Sequence, residues 1–261
     1  MNHETLSTND VKYLDWDSNF FGFSIGRIYA HACAEERLSK GLENAVKAKI
    51  QLVELFCDAS DSQSIHASER SAFHLADLRL AFKKKPPEPV EPAEPAEVVK
   101  DDGALTGLTF KKAGLKDIAG LKLAGHGLFT NSRYYGYPGF DRNQVDLMFQ
   151  LWIEKAVKGE FDDELYYLGD ESGILAFNSL RFEENAASIG LFGVEEAHRG
   201  KGLGSLLLNR VFHLLHNRRV TEVNVTTQGK NSSAVRLYQK NGFHLAKITL
   251  CYYKWLESKE K

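Results

Sequence analysis

Three glycines alternate with other residues in the stretch VEEAHRGKGLGSLLL. Gly200, Gly202 and Gly204 can take positive φ and let the main chain approach an anion without a Cβ in the way. The leucine-rich run after them has helical spacing, so the loop leads into a helix start with unpaired N–H groups and a positive dipole end. Arg199 and Lys201 add positive charge beside these amides. The pattern therefore predicts a phosphate-binding loop.

Two other phosphate-binding loops do not fit this stretch. A P-loop requires GxxxxGK[ST], and a dinucleotide site requires GxGxxG with a later acidic residue on the next strand. The sequence has R-x-x-G-x-G instead, from Arg199 to Gly204. Because glycines also make ordinary turns, the spacing alone does not identify the ligand.

The elements that must position this loop alternate along the chain. AASIGLFGV, which precedes the loop, has the pattern of a buried strand, and the first part of the chain has the pattern β-α-β-α-β. The elements predicted before that strand in the second part are a strand near 108–112, helices near 115–129 and 142–158, and strands at 165–168 and 174–182. This alternation predicts an α/β fold with a mixed sheet and flanking helices.

Residues 83–103 contain five of the six prolines of the chain, interleaved with glutamates. Such a segment has few amide donors and little apolar mass, so it is predicted to be an exposed linker, with a docking motif for a proline-binding module as the alternative. It would separate a first unit, residues 1–82, from a second unit, residues 104–261.

The two units share a sequence pattern. FHLADLRLAFKK, which begins at Phe73, aligns with FHLAKITLCYYK, which begins at Phe243, and the preceding segments align without a gap. The alignment predicts a duplicated unit, and chance similarity between two amphipathic strands is the alternative. The first copy has no counterpart of the glycine loop, so at most one unit has the chemistry.

Composition limits the class of partner. A net charge of −2 and a pI of about 6.5 argue against nucleic acid and phospholipid. The sequence shows neither a signal-peptide core nor the roughly 20 apolar residues of a membrane span, so we expect a cytoplasmic protein without a membrane partner. Cys33, Cys57 and Cys251 are too widely spaced for a disulfide frame or a zinc motif, and no metal is expected.

Residues 187–243 resemble motifs A and B of the GCN5-related N-acetyltransferases, the GNAT family. The glycine loop is similar to the acyl-CoA pyrophosphate loop of that family, and NSSAVRLYQKNGF is similar to its downstream helix. The resemblance implies a complete GNAT domain preceded by a truncated GNAT-like half. It also implies acetyl-CoA or another short acyl-CoA as co-substrate, with the pantetheine arm paired to the backbone of Phe192 and Val194. The residues implied at the pyrophosphate are Arg199, Gly200, Lys201, Gly202, Leu203, Gly204 and Ser205.

The resemblance assigns the chemistry to Tyr238. Attack of an amine on a thioester expels a thiolate whose conjugate acid has a pKa of about 8.5, and a phenol is protonated at neutral pH, so it can act as the acid. Helical spacing alone would place Tyr238 in the core beside Val235 and Leu237. Asn231 is expected either to cap the helix or to bond the pantetheine. AASIGLFGV contains no carboxylate, so no general base is assigned.

Candidate acceptor residues occur in NSRYYGYPGF. Arg133 could bind a diphosphate, and Tyr134 and Tyr135 could stack on a base or a sugar. A surface loop anchored by aromatic side chains is the alternative. Asn178, on the strand predicted at 174–182, could also face the acceptor, but alternation does not fix which face of the strand is which.

Segments at 13–28 and 127–165 resemble GNAT enzymes that acylate nucleotide-linked amino sugars. This implies direct transfer of an acetyl or short hydroxyacyl group, in a ternary complex, to the amine of a dTDP-linked 3- or 4-amino-dideoxyhexose. The product would serve a cell-surface polysaccharide such as the O-antigen of lipopolysaccharide, and a homodimer is a further expectation. The alternatives are transfer to another amine, such as a protein N-terminus, a polyamine or an aminoglycoside, and a non-enzymatic acyl-CoA sensor.

Overall fold

The computed structural model describes residues 11–29, 35–86 and 107–256. The strands of this part are β1 (Val11–Tyr13), β2 (Ile25–Tyr29), β3 (Leu52–Asp58), β4 (His74–Lys84), β5 (Thr109–Lys112), β6 (Glu164–Asp170), β7 (Gly173–Glu183), β8 (Ala186–Val194), β9 (Glu222–Gln228) and β10 (His244–Trp255). The α-helices are α1 (Asp15–Phe21), α2 (Glu35–Lys47), α3 (Ser62–Arg70), α4 (Ile118–Gly125), α5 (Arg133–Gly136), α6 (Arg142–Lys158), α7 (Leu203–Asn217) and α8 (Ser232–Lys240).

The strands of the described residues form one sheet in the order β1-β2-β3-β10-β4-β9-β8-β7-β6-β5. β2 runs parallel to β3 and β8 runs parallel to β9, and the other neighbouring pairs are antiparallel. The predicted α/β class, a mixed sheet with flanking helices, is confirmed. β10 lies between β3 and β4, and β4 lies between β10 and β9, so the two copies exchange a strand.

The pairing of β4 with β10 follows the alignment of the two copies. In that alignment His74 corresponds to His244 and Lys83 to Tyr253, and the structure pairs His244 with Lys83 and Tyr253 with His74. When each residue is replaced by its counterpart in the alignment, a pair near one end of the ladder therefore becomes a pair near the other end. This is the arrangement that a two-fold axis between two duplicated strands would produce.

The centre of this pattern is the pair Arg79 and Thr249, which correspond to each other in the alignment. The ladder skips one residue at Ala76 and one at Ala246, and these positions also correspond. The predicted duplication thus has a geometrical counterpart, an approximate two-fold axis in the middle of the sheet. The description of the first copy as a truncated GNAT-like half stays a prediction.

Helices cover both faces of the sheet. α7 and α8 pack on Leu80 of β4, and α2 and α3 pack on Leu250 of β10. Leu250 pairs with Leu78, which shares a face with Leu80 because side chains alternate along a strand. These four helices therefore lie on one face, while α1, α4, α5 and α6 pack around Phe177 and Tyr253 on the other.

Side-chain caps fix the starts of α3 and α6. The carboxylate of Asp61 accepts from the amide of Ser64 at 3.0 Å at the start of α3, and Asp141 caps α6 in the same way. α6 ends at Lys158, and the φ of 73° at the next residue, Gly159, lets the chain turn out of the helix. The helix predicted near 142–158 is confirmed, with Asp141 and Gly159 at its two ends.

Some expectations were incomplete or lie outside the described residues. β1, α1 and α5 were not predicted from the sequence. Of the predicted linker, Lys83 and Lys84 belong to β4, and residues 87–103 are outside the described part, as is Cys33. The unit boundaries at 82 and 104 therefore stay a prediction. In the described ranges, no helix combines the length and apolar character that crossing a bilayer requires.

Candidate active site

The parallel strands β8 and β9 separate part of the way along their length. Their pairing ends at Ile189 and Val225, whereas β8 continues to Val194 and β9 to Gln228. A cavity of about 700 Å³ occupies the opening between them. An unpaired strand edge beside a cavity can accept an extended ligand that has its own amide groups.

A bulge at Gly190 opens this gap. The ladder between β7 and β8 shifts register there. The amide of Leu191 donates to Ser179 Oγ at 2.7 Å, and that hydroxyl donates to Asp162 at 2.6 Å. The same Asp162 oxygen accepts from Trp152 Nε1 at 3.0 Å. Side chains from β7, α6 and the loop after α6 therefore fix the bulge.

The backbone groups of Phe192 and Val194 face the gap. The amides of Leu191 and Glu195 both donate to acceptors on β7. Because main-chain groups alternate in direction along a strand, those of Phe192 and Val194 are directed the other way. Both residues line the cavity. The Val194 carbonyl accepts from Arg199 Nε, and the other main-chain groups of these two residues form the free edge that the predicted pairing with pantetheine requires.

The glycine loop forms one end of the cavity. Gly200 and Gly202 have φ values of 77° and 87°, and α7 starts directly after Gly202. In the described part of the chain, no group accepts a hydrogen bond from the backbone amides of residues 200–205. A Cβ on Gly204 would lie 3.1 Å from Leu237 of α8, so this glycine permits close packing of the two helices. The unpaired amides at a helix start can bind a phosphate.

The residues predicted to bind the pyrophosphate differ in whether they line the cavity. Arg199 lines the cavity, and its Nε donates to the Val194 carbonyl at 3.3 Å. Ser205 also lines it and accepts from Asn241 Nδ2 at 3.0 Å. Lys201 is exposed and is not a lining residue. At this end of the cavity the hydrogen-bond donors therefore come from the main chain and not from the Lys201 side chain.

Tyr238 of α8 lines the cavity while only 3% of its surface is exposed. Its ring lies among Phe82, Phe192 and Phe243, with centroid distances from 5.5 to 6.2 Å. No described residue is hydrogen-bonded to its hydroxyl. Burial raises the pKa of Tyr238 above its ordinary value, so the phenol stays protonated, which is the state a proton donor needs.

Asn231 takes the capping role that the sequence offered as one of two options. Its Oδ1 accepts from the Ala234 amide at 3.2 Å and from Ser233 Oγ at 3.0 Å, and the residue also lines the cavity. The bond to pantetheine stays a prediction.

The predicted acceptor residues divide into two groups. Arg133 and Tyr134 line the cavity, and Arg133 donates to the hydroxyls of Tyr253 and Tyr134 at 2.6 Å each. Tyr135 instead donates to Asp146 of α6 and is not a lining residue. Asn178 is fully buried, is not a lining residue, and neither of its amide atoms has a hydrogen-bond partner among the described residues. The acceptor roles of Tyr135 and Asn178 therefore gain no support from their positions.

The first copy contributes a polar cluster that was not predicted from the sequence. Glu54 of β3 is 1% exposed and accepts from Arg27 of β2 at 2.6 and 2.9 Å. Arg79 of β4 lines the cavity. The available signal was Glu54, a charged residue inside the apolar strand LVELFC, because such a residue is costly to bury without partners. Arg79 belongs to a strand that alternates polar and apolar residues, HLADLRLAFKK, so its pattern gave no such signal.

Comparisons with known proteins agree with this geometry. Residues 132–243 match the model of the Acetyltransferase (GNAT) family. A dTDP-fucosamine acetyltransferase of Escherichia coli O6:H1 (strain CFT073) is 28% identical over 253 residues, which cover 94% of this chain and 97% of that protein. The spore coat polysaccharide biosynthesis protein SpsD of Bacillus subtilis (strain 168) is 26% identical over 130 residues, which cover 49% of this chain and 44% of that protein.

A solved structure shows the same fold. The GCN5-related N-acetyltransferase from Sphaerobacter thermophilus superposes with a TM-score of 0.62 at 17% identity, covering 94% of this chain and 76% of that one. The separated strands and the unpaired amides before α7 lie within the matched residues. Residues 132–243 of this chain therefore form a GNAT acetyltransferase domain.

Proposed function

We propose that this protein transfers an acetyl group from acetyl-CoA to the amine of a dTDP-linked 3- or 4-amino-dideoxyhexose. The observation that carries the proposal is the extent of the cavity. It reaches from the amides at Gly200 to Arg133 and to Arg79 of the first copy. The similarity to a dTDP-fucosamine acetyltransferase likewise covers 94% of the chain, including the first copy.

The residues suit distinct tasks in this reaction. The amides of residues 200–205 would hold the pyrophosphate of acyl-CoA, and the free edge at Phe192 and Val194 would hold the pantetheine. The acceptor nitrogen attacks the thioester carbonyl, so a C–N bond forms while the C–S bond breaks. Tyr238 gives its proton to the departing sulfur.

No side chain is needed as the base that removes the amine proton. An amine on a sugar carbon titrates near an α-amine, at about 8, so a good fraction is neutral at the start and water can take the later proton. Asp162, a carboxylate that lines the cavity, already accepts from Ser179, Trp152 and Arg181. It is therefore better suited to holding the bulge than to accepting a proton.

The product would enter a cell-surface polysaccharide. The name of the Bacillus relative refers to polysaccharide biosynthesis, and this supports the assignment. A short hydroxyacyl-CoA is the second candidate donor, with O-antigen of lipopolysaccharide as one destination. We also propose a cytoplasmic enzyme, because nucleotide-linked sugars and acyl-CoA are both polar, phosphorylated metabolites.

The test is a transfer assay with two panels. The purified protein is incubated with acetyl-CoA and dTDP- or UDP-linked 3- and 4-amino-dideoxyhexoses, or with a polyamine, an aminoglycoside and a peptide N-terminus. Thiol release and mass spectrometry report transfer. Faster acetylation of a dTDP-amino sugar than of any other amine is expected. Preference for a polyamine or a peptide, or binding of acetyl-CoA without transfer to any amine, would contradict the proposal.

A further inference from the structure

Three guanidinium groups surround one phenyl ring beside the cavity. The Cζ atoms of Arg27, Arg79 and Arg133 lie 4.6, 5.4 and 5.8 Å from the ring centroid of Phe56. Glu54 is the buried carboxylate among them, and it bonds Arg27 at 2.6 Å and lies 3.6 Å from Arg133. Glu54 is thus paired with two of the three guanidinium groups. The carboxylates of Asp17 and Asp77 also lie within electrostatic range of the cluster, Asp17 of Arg133 and Arg27, and Asp77 of Arg133 and Arg79.

Arg79 is the member of this cluster that lacks a polar partner. Within the described ranges its guanidinium makes no hydrogen bond and no ion pair, and its contact is with the face of Phe56. The nearby carboxylate of Asp77 bonds the amide of Leu78 at 2.8 Å rather than a guanidinium. Burial, followed by the charge of Arg133, lowers the pKa of Arg79. The positive charge of Arg79 is therefore unfavourable here unless an anion lies beside it.

The position of Arg79 separates it from the glycine loop. Leu78 and Leu80 are directed to the face that holds α7 and α8, so Arg79 is directed to the opposite face, which holds α5 and Tyr253. Its neighbour across the ladder is Gln228, the last residue of β9, where the gap is open. Arg79 thus reaches the cavity from the side of the predicted acceptor loop.

We propose that Arg79, with Arg133 beside it, binds the diphosphate of the nucleotide-linked acceptor. The identity of this anion rests on the proposed function, whereas the inference that an anion binds rests on the Arg79 guanidinium, which lines the cavity without a hydrogen bond or ion pair among the described residues. A guanidinium offers paired N–H donors that match two phosphate oxygens, and a partly desolvated site strengthens that bond. Arg79 occupies the approximate two-fold axis of the sheet, so the first copy would supply acceptor recognition without a glycine loop of its own.

The test compares Arg79→Gln with Arg70→Gln. Arg70 lies in α3, has an exposed side chain and pairs with Glu35, so its variant removes the same charge from the same copy. Titration calorimetry measures binding of dTDP and, separately, of coenzyme A. We expect Arg79→Gln to weaken dTDP binding about tenfold to a hundredfold and to leave coenzyme A binding unchanged. Arg70→Gln should leave both affinities unchanged.

Thermal unfolding shows whether the variant folds. Because the Arg79 guanidinium has no polar partner to lose, Arg79→Gln should keep the wild-type Tm, and dTDP should raise the Tm of the wild type more than that of the variant. Unchanged dTDP affinity in Arg79→Gln, an equal loss of coenzyme A affinity, or a wild type that binds neither dTDP nor inorganic pyrophosphate would each overturn the proposal.

Failure of this inference is distinguishable from failure of the proposed function. If the wild type acetylates a dTDP-amino sugar and Arg79→Gln has an unchanged KM for it, the subsite is wrong and the function stands. If no amino sugar is acetylated but dTDP binding depends on Arg79, the nucleotide subsite stands and the proposed acceptor amine is wrong.

Discussion

Asp162 lies so close to Gly190 that a Cβ on this glycine would be 2.8 Å from the Asp162 Cγ atom. The carboxylate also accepts from Arg181 at 3.1 Å and is 2% exposed. A residue larger than glycine would push the carboxylate away from Ser179, whose hydroxyl holds the bulge. The opening between β8 and β9 therefore depends on the absence of a side chain at one position.

Gly190→Ala should damage both the fold and the cavity. Overpacking of this kind costs roughly 1–3 kcal/mol, and we expect that loss in the free energy of unfolding measured with urea, together with weaker binding of coenzyme A. Gly114→Ala is the control, because its Cβ would meet nothing closer than Asp117 Oδ2 at 3.8 Å. Equal stability and equal affinity in the two variants would contradict the role given to Gly190.

The loop before α7 allows a test that separates strain from ligand binding. Gly202→Ala forces a residue with a Cβ into a φ of 87° and should lower stability by about 1 kcal/mol. Gly22→Ala imposes a similar strain at φ 76°, where no atom lies within 4 Å of the new Cβ. Only the Gly202 variant should lose affinity for coenzyme A in calorimetry, and Gly202→Asp should abolish binding by like-charge repulsion. The same loss of coenzyme A affinity in Gly22→Ala would contradict the role of the residue 200–205 amides in binding the pyrophosphate.

Tyr238→Phe should lower kcat by about a hundredfold and leave the KM for acetyl-CoA unchanged. Since no described group bonds the hydroxyl, the Tm should also stay the same. Tyr252→Phe serves as the control, because Tyr252 is equally buried but belongs to the core under α2 and α3. Full activity of Tyr238→Phe across the pH range would show that this phenol is not the acid.

The pH dependence of that reaction provides a second check on Tyr238. Because burial raises the pKa of the phenol above its ordinary value, kcat should not decline through loss of this proton below about pH 10. A decline at lower pH that disappears in Tyr238→Phe would contradict the protonated state.

Glu54 should make the fold sensitive to acid. Burial alone would raise the pKa of Glu54, but the charges of Arg133 and Arg27 outweigh it and hold the pKa below the ordinary value of 4.5. The stabilisation is therefore complete above pH 4.5 and is lost as the pH falls through the lower, folded-state pKa. Urea unfolding at a series of pH values should show this decline.

Glu54→Gln should remove that acid-dependent decline. It should also cost about 3–5 kcal/mol at neutral pH, because Arg27 and Arg133 lose their buried partner. Glu35→Gln, which breaks the exposed pair with Arg70, should cost no more than about 1 kcal/mol. A Glu54 variant as stable as the Glu35 variant would contradict the role of this pair.

The sequence predicted the parts of the site whose residues lie close together in the chain. Gly202 and the helix after it form a local signal, and the motif around Tyr238 is equally compact. Asp162 and Gly190 meet only through the folding of α6 onto β8, so no spacing in the sequence indicated their contact. For the same reason the cluster around Phe56, which needs strands of the first copy beside α5, was missed.

Asn178 shows a second reason why part of the site could not be predicted from the sequence. Alternation along β7 predicted two faces without saying which one meets the acceptor. In the structure, Ala176 and Leu180 pack in the core under α7, so Asn178 between them is directed to that core as well. A single strand pattern cannot decide this, because the choice depends on which helices cover each face.

The exchange of strands between the copies sets an order of assembly. β4 has β10 and β9 as its neighbours, and both come later in the chain than the whole of the first copy. During synthesis β4 therefore has no neighbouring strand until the residues of β9, and then those of β10, leave the ribosome. A cut between the copies would leave β4 and β10 each in a fragment that contains neither of its sheet neighbours, so the two pieces should associate when mixed.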